Sequence, residues 1–522
     1  MLVQEEIVKK VNKSGMWTIM ADETTDMANR EQMVLVVRYV DATDDGFVIR
    51  EDPIALMDVM TTLRQSSDAT EIKLSGANLA KVLVGKVENL RLDMSKLVGQ
   101  CYDGAASMSS EKVGVAACVK EKAPLADYFH CAVHAVNLST SLIRKVAVVR
   151  NGLDAMEAAI TFLTDGAKRG DLIQAMRKEA LGDACQQKLV KLCHTRFVER
   201  HLAVQRFCEQ LPAINRALEA MATWDDSRSS SKATLVLNTI SKTEFLVGVF
   251  IAERLAGILK PLAASLQEQG ADLMKALDLI DAVKHVIKEQ RQSSEEQFTS
   301  VMERVESAAQ ELHVELKKPR LVSRSAHRGN TGDDDDSVTE YYRLNAFIPA
   351  LDYVLQDLEL RFGKHVNLVA GLGVLIPRRL ARSGAEWKLL QPAHAKLQQL
   401  LEGVTESQLE AELRVWEAMW KSRPEAPGTA IGALNECPVT VFPGIHALLR
   451  VLAVLPVSTA EAERTFSKVT RTLTALRASM REERLEALVL IQTHRDLLPD
   501  YGKVVDRFAA AGSRRLNFLL RL

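Results

Sequence analysis

Apolar and polar positions change period along this chain. Trp17–Asp22 is a short apolar run closed by an acid. Met33–Asp41 is a second, valine-rich run that ends at a turn over residues 42–46. Phe47–Arg50 and Ile54–Val59 follow directly. Closely spaced strands joined by short turns predict an antiparallel meander. Asp68–Val87 then carries apolar residues at helical spacing. Leu97–Tyr102 predicts a short strand, Lys112–Lys122 a helix, Tyr128–Cys131 another strand and Ala132–Val149 a helix. The order is strand, strand, strand, helix, strand, helix, strand, which several α/β folds share in part.

From about Asn151 to Pro427 the pattern is helical, as in Leu153–Thr164, Lys188–Leu211, Thr243–Gln267 and Leu273–Glu289. One break falls at Lys317–Ser337, where Pro319, a basic stretch and the acidic run Asp333–Asp336 follow one another without apolar periodicity. A second falls at Ser422–Gly432, with Pro424, Pro427 and Gly428. Val439–Asp496 is again helical and strongly apolar, and no internal repeat is found. The reading is 1–150 as a first α/β part, 151–430 as an all-helical insertion with its loop near 317–337, 437–500 as a C-terminal helical region, and 501–522 as a tail.

Composition narrows the class. The 522 residues are too many for one ordinary core. Hydrophobic residues at 47% and charged residues at 26% match a globular protein, and aromatics at 5% lean toward helix. The net charge of −1 gives no global basic field, so contact with nucleic acid must use local patches. Seven sparse cysteines without a CxxC pair exclude a disulfide framework or zinc ribbon and predict a reducing compartment. The start of the sequence lacks a secretory apolar region, and the longest apolar runs are too short to span a bilayer.

Three acidic positions stand out. Asp22 ends the first strand, in DETTD (Asp22–Asp26). Asp103 follows the strand Leu97–Tyr102 and precedes small residues that let another chain approach. Each reads either as a polar strand-end turn or as a rigid acid of the kind two-metal phosphoryl transfer requires. Glu463 lies near a helix start marked by Pro456 and Ser458, where Ser458 and Glu461 fit a capping box. Its alternative is a surface ion pair with Arg464, worth little.

Taken together, the segments resemble the hAT superfamily of DNA transposases and the zinc-finger-linked host proteins derived from it. The resemblance runs from about residue 14 to 497 in five ordered blocks. These are DETTD with QMVLVVRYVD (Gln32–Asp41); GQCYDGAASM, GVAACVKEKAP and YFHCAVHAVNL (Gly99–Leu138); CHTRFVERHLAV (Cys193–Val204); Lys317–Phe362; and Phe442–Ile491, the hAT dimerisation region. The resemblance implies an α/β fold: an RNase H-like catalytic core, interrupted by a large all-α insertion and closed by the C-terminal helical region. It places the acidic triad on Asp22, Asp103 and Glu463, holding Mg²⁺ or Mn²⁺ for DNA cleavage and strand transfer. Cys131 and His134 also belong to the pattern, as support for the active site; a zinc site would need four ligands. The resemblance makes Arg196, Arg200 and Arg464 candidate DNA contacts, since guanidinium forks suit phosphate, with surface pairing as their alternative.

Phe197 stands where the family usually has Trp, and Ser109–Lys112 lacks an expected glycine. Active relatives carry a zinc finger and a helical region before the position of Asp22. The expectation here is weak or nonspecific, salt-sensitive binding to double-stranded DNA. The resemblance further implies a homo-oligomer and a nuclear location, without a membrane. The alternative to a metal-dependent transposase or nuclease is a non-enzymatic, domesticated relic acting through dimerisation and weak DNA binding in transcriptional regulation. A Gly-rich phosphate loop, a Gly-x-Ser-x-Gly elbow and a Cys–His nucleophile pattern are all absent from the sequence.

Overall fold

The computed structural model describes residues 2–65, 71–181, 188–191, 197–319, 337–362, 366–384, 386–474, 477 and 479–510. It divides into two compact units: residues 1–133, 266–276 and 365–522 form the first, and residues 134–265 and 277–364 the second. The two units part at His134, ahead of the boundary expected near 151. The helices beyond residue 364 belong with the sheet, although they share the insertion's periodicity.

The first unit is built on one five-stranded sheet. Its strands are β1 (Trp17–Thr25), β2 (Glu31–Thr43), β3 (Gly46–Asp58), β4 (Leu97–Tyr102) and β5 (Asp127–His130), in the order β3-β2-β1-β4-β5. β1, β2 and β3 form the expected antiparallel meander, while β4 and β5 run parallel to β1. The stretches read as separate strands at Phe47 and Ile54 are one strand. Leu35 pairs with Ala55 and Val36 with Pro53, so Ile54 is the extra residue of a bulge. Proline is tolerated there because β3 is an edge strand.

Helices α1 (Leu2–Ser14), α2 (Val59–Gln65), α3 (Gly76–Asn89) and α4 (Val115–Lys122) belong to this unit. The first part of the predicted helix Asp68–Val87 falls outside the described residues as far as residue 70. Helix α3 starts only after Ser75, whose hydroxyl accepts the Asn78 N–H. The continuous helix predicted over Ala132–Val149 is interrupted. Ala132–Leu142 ends in a 3₁₀ turn at Ile143–Lys145, and a new helix runs from Ala147 to Thr164.

Further along come α5 (Pro377–Ser383), α6 (Glu406–Lys421), α7 (Pro443–Val454), α8 (Ala460–Thr472), α9 (Glu482–Thr493) and α10 (Tyr501–Ala510). Leu448, Leu449, Leu452 and Leu455 are all buried, so the apolar face of α7 is spent within the chain. Helix α9 covers the exposed edge of the sheet. The Glu482 and Glu486 carboxylates accept the β3 N–H groups of Asp58 and Leu56, at 2.5 and 3.3 Å. Just past the helix, His494 Nε2 donates to the Pro53 carbonyl at 2.6 Å. Edge groups left unpaired would invite another strand. Ending the chain at residue 438 is therefore expected to abolish the cooperative unfolding of this unit. A soluble truncated protein with the parent's near-ultraviolet circular dichroism would contradict that.

The regular elements described in the second unit are all helices, among them Ala147–Thr164 and Ile348–Phe362. Its core includes the edge-on ring pair Phe207–Phe245 and the tilted pair Phe298–Phe347. Of the predicted helix Lys188–Leu211, Phe197–Glu209 is one helix, and Leu211 already begins the next.

Candidate functional site: acidic groups at the carboxyl ends of the parallel strands

Strand register sets the first two acids side by side. Met20 pairs with Cys101 across the parallel strands β1 and β4. Asp22 and Asp103 each lie two residues further along, so they share a face by the period-two rule. Tyr102 pairs with His130 on β5, and Cys131 follows it as Asp103 follows Tyr102. Asp22, inside β1 just past its last pair with β4, thus lies beside Asp103 and Cys131, which follow the carboxyl ends of β4 and β5, where open α/β sheets place ligands.

Asp103 is fixed by its turn. Its carboxylate accepts the Ala105 N–H at 3.1 Å, and its carbonyl accepts the Tyr128 hydroxyl at 2.7 Å. Gly104 is needed here, because a Cβ would lie 2.5 Å from the His130 ring.

Glu463 arrives on α8, and the segment before that helix is stitched to the strand ends. Ala132 N–H donates to the Val457 carbonyl at 3.0 Å. The Thr459 N–H and hydroxyl both donate to Cys131 Sγ, at 3.3 and 3.2 Å. The Ser458 hydroxyl donates to the Leu266 carbonyl at 2.8 Å. Gly99 on β4 permits this approach, since a Cβ there would meet Thr18 Oγ1 at 2.8 Å and Pro456 Cδ at 3.2 Å. The predicted capping box is not formed. Thr459, not Ser458, is the N-cap, without a side-chain cap bond. The hydroxyls are committed to Leu266 and Cys131, and Glu461 pairs with Arg464 at 2.7 Å. Helix α8 packs against β1, β2 and β3, and Glu463, half-buried, falls in its first turn.

Electrostatics tie these groups together. Burial is the main cause that pushes the Asp22 carboxyl well above the usual carboxylate range. Repulsion by Cys131, Glu463 and Asp103 adds to it, and the Glu23 N–H opposes it from 3.0 Å. Every charged neighbour that moves Asp22 is thus acidic. Next to it, burial raises Glu23 to about 7, with help from Glu31 and Asp103. A raised folded-state value means that Glu23 contributes stability below its ordinary 4.5 and loses it as pH rises through about 7. Glu23→Gln should flatten that fall. Urea midpoints at pH 5 and pH 8 check it: the parent should lose more stability than the variant between them.

The donor chemistry fits a hard divalent cation. Carboxylate oxygens suit Mg²⁺ or Mn²⁺, and positive charge would relieve the repulsion on Asp22. Zinc fits poorly, because the buried Cys131 thiol is engaged by Thr459 and by the Cys101 thiol. Among the described residues no group of three or more His, Cys, Asp or Glu side chains is drawn close enough to cage a metal ion. The three carboxylates are electrostatic neighbours rather than a closed cage.

The remaining predicted residues are placed as follows. His134 lies in the first turn of the helix Ala132–Leu142. Arg196 lies outside the described residues, as do Cys185 and Cys193. Arg200 is in the helix Phe197–Glu209, but its side chain is outside the described set. Of the basic stretch Lys317–Arg328, only 317–319 are described. Arg464 is turned inward, with Nε on Glu461 and Nη1 on the Gln267 carbonyl at 2.8 Å. Sequence reasoning did not single out Thr459 or Gly99, and it noted Gly104 only among the small residues after Asp103. The glycines were visible in the motifs, but their reasons, Pro456 and the His130 ring, are contacts across the fold.

The sheet, the acidic strand ends and the returning helix define a mixed α/β protein of the RNase-like class. A family model described as "ZMYM1/FAM200, RNase-like domain" matches residues 2–114, and the "hAT family C-terminal dimerisation region" matches residues 439–494. The two matches, at the start and the end of the chain, support its resemblance to the hAT superfamily of DNA transposases and proteins derived from them. Among curated proteins it is similar to the human "52 kDa repressor of the inhibitor of the protein kinase", at 24% identity over 518 residues. The mouse protein of that name is 24% identical over 519 residues. Each match covers 97% of this chain and 65% of the relative, so the chain spans about two-thirds of the length of these proteins.

Proposed function

We propose that the chain carries the Asp-Asp-Glu site of a hAT-type transposase, for metal-dependent DNA cleavage and strand transfer. The observation that carries this reading is the register-matched placement of Asp22 and Asp103 on adjacent parallel strands, with α8 stitched over those strand ends and Glu463 in its first turn. The strand order β3-β2-β1-β4-β5, antiparallel and then parallel, is that of an RNase H-like core, which supports the same reading.

Asp22, Asp103 and Glu463 would hold Mg²⁺ or Mn²⁺. When bound, the ions supply activation of the attacking oxygen and charge stabilisation at the leaving oxygen of a phosphodiester. The chain's own part is to hold the carboxylates. Asp22 is fixed by a central strand, Asp103 by its turn, and Glu463 by the segment tied to Cys131 and Leu266. Cys131 is a positioning residue, since it holds Thr459 and not a substrate. The test is divalent-metal-dependent nicking and strand transfer on plasmid DNA, lost together in the carboxylate variants.

A second reading, a non-enzymatic regulator that works through self-association and weak DNA contact in the nucleus, has two supports. The curated relatives carry "repressor" in their names, and the net charge of −1 provides no global attraction to DNA. The match to the dimerisation region supports a homo-oligomer under either reading. Among the described residues no helix is long and apolar enough to cross a membrane.

A further inference from the structure

The sequence break near Ser422–Gly432 lines one side of a cleft of about 750 Å³, and helix α5 lines the other. Arg378 and Arg382 stand one turn apart on α5, both exposed and both lining the cleft. Neither has a carboxylate partner among the described residues. The Arg378 guanidinium lies over Gly428, where a Cβ would come within 2.9 Å of Nη1, and the Arg378 N–H is anchored to the Pro427 carbonyl at 3.0 Å. Arg423 faces them from the opposite wall, stacked 4.7 Å from the Trp420 ring centre, with a loose pair to Glu436 at 3.6 Å. Trp420 is buried, and its indole N–H has no acceptor among the described residues. Glu425 and Glu436 are the acidic members of the lining, so the guanidiniums outnumber the carboxylates.

Three guanidiniums in one cleft repel one another, and an anion with several oxygens relieves that. Their planar forks match phosphate oxygens bidentately. Enclosed nests of backbone N–H groups hold free phosphate. Here the donors are exposed side chains on two separate segments, which suits successive phosphates of a polymer. We infer that this cleft binds the phosphate backbone of double-stranded DNA, away from the acidic strand ends. The inference rests on the proposed DNA function and adds to it a surface that holds the substrate without reading its sequence.

The experiment is fluorescence anisotropy of a labelled duplex with the full chain across a KCl series, comparing the parent with Arg378→Ala/Arg382→Ala. Removing one phosphate-binding side chain should reduce the slope of log affinity against log salt by about 1. The slope of the double variant should therefore fall by about 2 while its melting temperature matches the parent's, because both side chains are exposed. Lys9→Ala/Lys13→Ala, which removes the same charge from α1, should move the slope less. An unchanged slope in the arginine variant of a parent that binds DNA overturns the cleft and leaves the DNA reading standing. A parent that binds no duplex overturns both. Inorganic phosphate is the remaining probe. If it displaces the duplex no better than KCl of equal ionic strength, the polymer assignment stands. Saturable phosphate binding that needs the arginines, with identical duplex slopes, overturns it in favour of a small phosphate ligand.

Discussion

Asp103→Ala and Glu463→Ala are each expected to lower Mg²⁺-dependent nicking of supercoiled plasmid by roughly 10³-fold. Removing a carboxylate that holds the ion forfeits several kcal/mol of transition-state charge stabilisation, and about 4 kcal/mol is three decades in rate. The two losses should not add, because the carboxylates act as one unit. Asp22→Asn is expected to be as damaging to cleavage but opposite in its effect on stability. Burial and three acidic neighbours oppose charge on Asp22 in the metal-free fold. The neutral amide should therefore raise the unfolding midpoint without metal, a stabilisation of roughly the 0.5–2 kcal/mol common for single stabilising substitutions. An inactive but more stable Asp22→Asn protein separates a functional acid from a structural one. Equal cleavage by parent and variants, or a less stable Asp22→Asn protein, would count against the assignment.

The largest stability effect is expected at Arg38. This side chain is fully buried on β2. Its Nη1 meets Glu51 Oε1 at 2.5 Å, and its Nη2 donates to the Ala453 and Ala271 carbonyls at 2.9 and 2.8 Å. Glu51 in turn accepts the Gly270 N–H at 3.2 Å. The pair fastens the 266–276 segment and the end of α7 to the sheet. Arg38→Met leaves Glu51 charged and unpaired in a buried place, a change that costs about 3–5 kcal/mol. Arg38→Met/Glu51→Leu removes both charges and should be markedly milder. Urea unfolding of the three proteins checks this; a double variant no better than the single would contradict it. Since Ser458 and Arg464 are held by the same 266–276 segment, Arg38→Met should also weaken the seating of α8.

Much of this was legible in the sequence, for reasons that are local. Leu97–Tyr102 matches β4 residue for residue, because a short apolar run between turn residues has few alternatives. Asp103 read as a strand end and does follow β4 directly, whereas Asp22, also read as a strand end, lies inside β1, which runs on to Thr25 because residues 22–25 pair with β2. The position of Glu463 came only from the family resemblance. Nothing near it specifies that Thr459 donates to Cys131 or that Ala132 donates to Val457. The capping box failed for the same reason, since Ser458 found a better acceptor in the Leu266 carbonyl, far away in the sequence. The helices after residue 364 could not be assigned to a unit from periodicity, which reports that a face is buried and not what buries it. The dimerisation region shows the same limit, as its leucine stripe on α7 is consumed inside the chain.

The most direct test of the central claim is titration of the metal-free chain with Mn²⁺, followed by calorimetry and by electron paramagnetic resonance of the free ion. The account predicts saturable binding in the parent, with protons released as Asp22 ionises, and loss of that binding in Asp22→Asn, Asp103→Ala and Glu463→Ala. A folded parent that takes up no Mn²⁺, or one whose binding survives all three replacements, would contradict it.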